Sequence, residues 1–185
     1  MNRNYFKNKY LVNSVRLYGY DYSAEGYYFF TVCTKNRKCF LGEVKRGTIG
    51  LSEIGCVVWE EWYKTEKIRK NIRLDEFIVM PNHIHGIIEI CVCRDVARNV
   101  STNINQYMSS ISPKEGSLSV IIRAIKSACT KRINQFGHYN FSWQERFYDH
   151  VVKLDSESLD KIRWYIKYNP PLWDKDRNNP INIKI

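Results

Sequence analysis

The chain has 185 residues, 44% of them hydrophobic and 14% aromatic, which suits one domain of ordinary size with a real core. Twenty-nine Lys and Arg against 19 Asp and Glu leave a formal net charge of +10, which favours a polyanionic partner, nucleic acid before an anionic membrane surface. No apolar run approaches the ~20 residues of a membrane span, the opening MNRNYFKNKYLVNS lacks the apolar core of a secretory signal, and six scattered cysteines without a CxxC pair read as reduced thiols of a cytosolic protein.

Residues 1–20 are polar and basic, with Arg3, Lys7, Lys9 and Arg16 among tyrosines, and read as an arm. Tyr27 to Thr34 is aromatic and β-branched, the pattern of a buried strand. A basic turn follows at Asn36-Arg37-Lys38, then turn and short strand over 42–50. Leu51, Ile54, Val58 and Trp62 predict a helix from Leu51 to about Asn71, with Ser52 as a candidate cap and Gly55 as a weak point. A hairpin comes next: Phe77–Met80, a Pro81-Asn82 turn, and His83–Val92. Cys91 and Cys93 could hold a soft metal only with a second pair, which is missing, so they read as structural.

The stretch 94–116 is polar and long enough to read as a flexible connector. Leu118 to Phe136 is a second predicted helix, closed by Gly137, with Ile121, Ala124, Ile125 and Ala128 on its apolar stripe and Arg123, Lys126, Lys131 and Arg132 elsewhere. Phe141 to Val152 reads as an aromatic strand. The last helix is predicted from Ser156 to Asn169, with Glu157 near its N-terminal dipole and Leu159, Ile162 and Ile166 facing the core. Pro170-Pro171 ends it and a polar tail follows. Strands with helices between them predict an α+β architecture, an antiparallel sheet with helices packed on it.

Within this frame the chemistry gathers at PNHIHG, 81–86. Strand side chains alternate, so His83 and His85 share one face while Ile84, Ile88 and Ile90 point to the other. Two adjacent imidazoles are two-thirds of a metal site. The third ligand is open among His138, His150, carboxylates and side-chain amides. Tyr165 and Asn169 lie at i, i+4 on one face of the last helix. If that helix covers the histidines, Asn169 can offer a carbonyl oxygen with Tyr165 beside it.

PNHIHG has the form of the His-hydrophobe-His signature of single-strand DNA endonucleases. The blocks YDYSAEGYYFFTVCTKNRKCFLG, FIVMPNHIHGIIEI, GSLSVIIRAIKSACTKRIN, FSWQERFYDHVVK and LDKIRWYIKYNP together resemble, in that order, the REP-associated tyrosine transposases, single-tyrosine transposases of the His-hydrophobe-His class. The likeness covers most of residues 15–172, apart from the connector.

This resemblance implies a ferredoxin-like antiparallel sheet with helices packed on one face. It implies a basic arm over 1–20, a catalytic domain over 21–172 and a tail over 173–185. It makes His83, His85 and Asn169 the ligands of Mg²⁺ or Mn²⁺ and Tyr165 the nucleophile. Asn169 stands where a glutamine is common in the wider group, and it is one methylene shorter. Tyr168 is a rival to Tyr165 but points elsewhere around the helix. Asp149 or His150 could assist proton transfer. The implied activity is binding of hairpin DNA from palindromic repeats, cleavage of an adjacent single strand through a 5′-phosphotyrosine intermediate, and rejoining. The enzyme would act as monomer or homodimer in the cytoplasm, at the nucleoid. Arg16, Arg37, Lys126, Trp143 and Arg146 are candidate DNA contacts. Two other readings stay open: a non-catalytic hairpin-binding protein of the same fold, and a metal-dependent hydrolase that uses water.

Overall fold

The computed structural model describes residues 5–6, 10–11, 17, 19–91, 113–152 and 156–182. Most of the basic arm with Arg16, and the connector from 94 to 112, lie outside the described residues. Two short strands, β1 (Tyr5–Phe6) and β2 (Tyr10–Leu11), pair with each other near the start.

The central sheet is built from β3 (Gly26–Cys33), β6 (Ile72–Met80), β7 (His83–Ile90) and β8 (Tyr148–Val152), in the spatial order β6-β7-β3-β8 with every pair antiparallel. Helix α1 (Glu53–Ile68) connects β3 to β6, and helix α2 (Leu118–Gln135) comes between β7 and β8. This β-α-β-β-α-β order is the ferredoxin-like arrangement. A side hairpin, β4 (Gly42–Lys45) and β5 (Thr48–Leu51), precedes α1, and helix α3 (Ser156–Lys167) follows β8.

Burial explains the layering. Residues paired across the sheet point the same way, so Phe30, Val32, Ile84 and Ile88 form one face. They pack against Val58 and Trp62 of α1 and Ile121, Ile125 and Cys129 of α2. Trp62 stacks on Phe77 at 4.3 Å and 9°, and leans on Phe30 at 5.6 Å. Gly86 makes this possible, since a Cβ there would lie 2.8 Å from the Phe30 ring and 3.1 Å from Phe77. The opposite face carries Phe29, His83, His85 and Ile87, and α3 lies over it through Leu159, Ile162 and Ile166. So the two helices of the repeat sit together on one face, and the added third helix covers the other.

Several boundaries differ from the sequence reading. Leu51 ends β5 instead of opening α1; Ser52 caps α1 by accepting from the Gly55 N–H at 3.1 Å. Gly55 is there for close approach, because a Cβ would lie 2.0 Å from the Leu41 carbonyl oxygen. β6 starts at Ile72, and its register shifts between Leu74 and Phe77, where Asp75 and Glu76 interrupt the apolar alternation. The aromatic stretch from Phe141 is mostly loop: Trp143 makes one bridge to Thr34 before β8 begins at Tyr148. The polar segment after α3 winds into short 3₁₀ turns at Pro170–Lys175 and Pro180–Asn182, with Asp176, Asn178 and Asn179 buried. Gly137, with φ +86°, closes α2 as expected.

Candidate active site

His83 and His85 lie where β7 emerges from the Pro81-Asn82 turn, and both are fully buried. Their Nε2 atoms converge to 3.0 Å. The protonation of His83 can be deduced. Asn82 donates its Nδ2 to the carbonyls of Arg37 (3.0 Å) and Asn178 (2.8 Å), which fixes the amide orientation. Its Oδ1 must then accept from His83 Nδ1 at 2.9 Å, so Nε2 of His83 carries the lone pair. Nδ1 of His85 meets the Thr31 hydroxyl at 2.8 Å, a group that can donate or accept. The outer nitrogens are therefore held from behind, the arrangement that orients metal-binding histidines.

Burial pushes the His83 imidazole well below its ordinary range, and His85 and the guanidinium groups of Arg37 and Arg177 add to the effect. Burial also pushes His85 down to about 3, with Arg177 in support. Both rings are thus neutral near pH 7, the state that binds a cation.

The last helix reaches this pair. Tyr165 places its hydroxyl 3.3 Å from His85 Nε2, with its ring 6.2 Å from Phe29 in an edge contact. Arg163 holds the helix in place by gripping Asp75 of β6, Nε to Oδ1 at 2.9 Å and Nη2 to Oδ2 at 2.5 Å. Burial raises the Tyr165 pKa and the Asp176 charge adds to it, while the Asn169 amide and Arg177 act in the other direction. Asn169 is buried one turn beyond Tyr165, and its Oδ1 has no hydrogen-bond partner among the described residues.

Asp176 was not anticipated. It sits 3.7 Å from His83 Nε2 through Oδ2, and that oxygen is buried without a hydrogen-bond partner among the described residues; the other oxygen accepts from the Asn178 N–H at 2.6 Å. His83, His85 and Asp176 offer ligand atoms all within 4.8 Å of one another. Asp176 lies 93 positions from His83 in a segment without helical or strand period, so pattern gave no link. The signal available was compositional: the run Asp176-Arg177-Asn178-Asn179 is rich in side chains that bond backbone and fold turns. Turn chemistry accounts for Asn82 by sequence alone, and its place directly before the first histidine is the signal of its further role.

The other candidates are distributed. Arg37 comes to the site, where it donates to Asn178 Oδ1 from a left-handed backbone with φ +52°. Arg146 is exposed in the loop, two residues before β8. Lys126 bonds the Gln144 and Glu145 carbonyls at 2.5 and 3.2 Å, so its ammonium braces a loop. Trp143, 9% exposed, packs on Phe141 at 5.0 Å, and its buried ring offers DNA little surface. His138 pairs with Glu53 away from the site. Asp149 aligns with Phe30 on the α1–α2 face, so it does not reach Tyr165. Tyr168 points outward and stacks on Trp164.

Comparison with known proteins follows the same lines. No family model matches the chain. An uncharacterized protein of Haemophilus influenzae is 33% identical over 170 residues, covering 89% of this chain and 91% of that one. This chain belongs to the same family as the Haemophilus protein. Its fold is that of a REP-associated tyrosine transposase: a structure of such an enzyme bound to a REP hairpin aligns with 90% of this chain and 77% of its own, at TM-score 0.57 and 20% identity. The likeness of fold agrees with the resemblance of the sequence blocks. Among the described residues no helix is long and apolar enough to cross a membrane.

Proposed function

We propose that this protein is a metal-dependent transposase of the REP-associated, single-tyrosine kind. It binds hairpin DNA from palindromic repeats, cuts an adjacent single strand through a 5′-phosphotyrosine link at Tyr165, and rejoins strands. The observation that carries this reading is the Tyr165 hydroxyl 3.3 Å from His85 Nε2, at a pair of convergent neutral imidazoles.

The donor set fits a divalent cation. Two imidazole nitrogens converge, and two buried oxygens, Asn169 Oδ1 and Asp176 Oδ2, lack hydrogen-bond partners among the described residues, a costly state that a cation would relieve. The carboxylate and amide oxygens suit Mg²⁺ or Mn²⁺, and the two imidazoles also suit Zn²⁺. His83, His85 and Asn169 would hold the ion, with Asp176 as a further ligand. Once bound, it supplies Lewis-acid polarisation of the scissile phosphate.

The chain's own residues do the rest. The Tyr165 oxygen attacks phosphorus, the bond to the 3′ oxygen breaks, and a 3′-OH leaves, so the phosphodiester energy is kept for rejoining. The phenol enters protonated, since its pKa is raised above an ordinary value near 10. Asn169 and Arg177 favour the phenolate and so favour its activation. Phe29 and Trp173 wall the imidazoles at ring distances of 5.4 Å from His85 and 6.0 Å from His83. Because α3 lies over the histidines of its own chain, the reading includes action in cis, by a monomer or by each half of a homodimer.

The test is incubation with labelled single-stranded DNA carrying a hairpin, with Mn²⁺, followed by a denaturing gel. A protein–DNA adduct is expected with the wild-type chain and none with Tyr165→Phe. Cleavage without adduct would favour the water-using hydrolase, and binding without cleavage the non-catalytic protein. An adduct that persists in Tyr165→Phe would overturn the nucleophile assignment.

A further inference from the structure

Helix α3 carries a second set of side chains that the site does not use. Lys161, Trp164 and Tyr168 follow at i, i+3 and i+7, so they share the helix face turned away from Ile162 and Ile166. The helical bonding continues to Tyr168, whose N–H donates to the Trp164 carbonyl at 2.9 Å. Trp164 is 56% and Tyr168 42% exposed, and their rings stack on each other with centroids 4.9 Å apart at 29°. Tyr165 lies between them in sequence but turns to His85.

Single exposed apolar side chains are ordinary. Here two aromatic rings are already stacked in water beside the candidate nucleophile, with an exposed lysine one turn earlier. A flat aromatic surface at an open edge complements an unpaired base, whose π-face stacks on it whatever its identity. An ammonium group at the end of that surface complements a phosphate.

We infer that Lys161, Trp164 and Tyr168 form a platform for the unpaired strand next to the cleavage point. A base stacks on the Trp164–Tyr168 pair and Lys161 meets the neighbouring phosphate. This rests on the DNA reading above and adds where the single strand runs. The preference it gives is for single-stranded character and not for sequence. A similar exposed pair on α1, Trp59 and Tyr63 with centroids 4.6 Å apart, belongs to the helix on the other face of the sheet and serves as the control.

The experiment uses the full chain carrying Tyr165→Phe, so binding is read without cleavage. Affinity is measured by fluorescence anisotropy for a labelled hairpin with a single-stranded extension at its 5′ or 3′ end, and for the same hairpin trimmed of it. Adding Trp164→Ala and Tyr168→Ala is expected to weaken binding of one extended oligonucleotide by about tenfold, the scale of one lost base stack. The trimmed hairpin should bind as before. Trp164→Phe with Tyr168→Phe should keep most of the affinity, and Trp59→Ala with Tyr63→Ala should change neither substrate. An equal loss on extended and trimmed DNA, or no loss, overturns the platform while leaving the DNA reading intact. So does sedimentation showing that the alanine variants turn a dimer into a monomer, since the rings would then serve a second copy of the chain. A parent protein that binds neither oligonucleotide overturns the DNA reading, and the platform with it.

Discussion

The two faces of the central sheet are built from the same strands for different purposes. Toward α1 and α2, β7 presents Ile84, Ile88 and Ile90 to a layer of aliphatic and aromatic side chains centred on Trp62. Toward α3, it presents His83, His85 and Ile87, and the apolar cluster there is much smaller. On this side lie buried oxygens of Asn169 and Asp176 without hydrogen-bond partners among the described residues, and two imidazoles held neutral by burial. The difference shows how one strand with period two can put an apolar core on one side and a pair of buried imidazoles on the other, where the following segments bring unsatisfied oxygens. Locally unfavourable groups of this kind persist only where the rest of the structure holds them.

Substitutions on the two faces should therefore separate stability from site chemistry. Trp62→Ala should have the largest effect on stability, about 3–5 kcal/mol by urea unfolding, because it empties the centre of the core. Mn²⁺ affinity of the folded fraction should be unchanged, and a parallel loss in calorimetry would show that the faces are coupled.

The second test is pH. Both imidazoles have folded pKa values depressed below about 6.5, so the unfolded chain binds their protons first. Stability from these groups is therefore fully present above pH 6.5 and falls as the pH is lowered; His85 contributes roughly 1.4 kcal/mol per pH unit from there down to about 3, and His83 acts in the same direction. Unfolding in chelator across this range should show the slope, and His83→Gln with His85→Gln should flatten it. An unchanged slope in that variant would mean other groups carry the acid sensitivity.

Asn82→Ala sharpens the comparison on the polar face alone. It frees the His83 tautomer, and a loss of about 10–100-fold in Mn²⁺ affinity is expected by calorimetry. Tyr165→Phe should have the smallest effect on stability, within about 1 kcal/mol, since it removes one long hydrogen bond. Its thermal transition should match that of the wild type while the covalent adduct disappears.

Much of this arrangement was legible in the chain. The His83–His85 pairing, the Ile84 and Ile88 face, and the core stripes of α1 and α3 rest on periods of two and 3.6, which depend only on neighbours in sequence. The extent of β6 and the loop before β8 escape such periods for the same reason. Asp75 and Glu76 break the alternation within a strand that pairing sustains, and Phe141-Ser142-Trp143 has strand composition but, among the described residues, makes a single bridge, from Trp143 to Thr34.

By itself, then, the sequence determined which side chains share a face: two histidines on a strand, and a tyrosine with an amide four residues on along a helix. The tertiary structure alone decided that these faces meet. It did so through the Arg163–Asp75 grip and the apolar contacts of Leu159, Ile162 and Ile166. It also decided that Asp176 returns from the far end of the chain to His83, and that Asn82, fixed by the carbonyls of Arg37 and Asn178, sets the tautomer of that histidine. Such contacts depend on distance in space between segments far apart in sequence, and no local period encodes them.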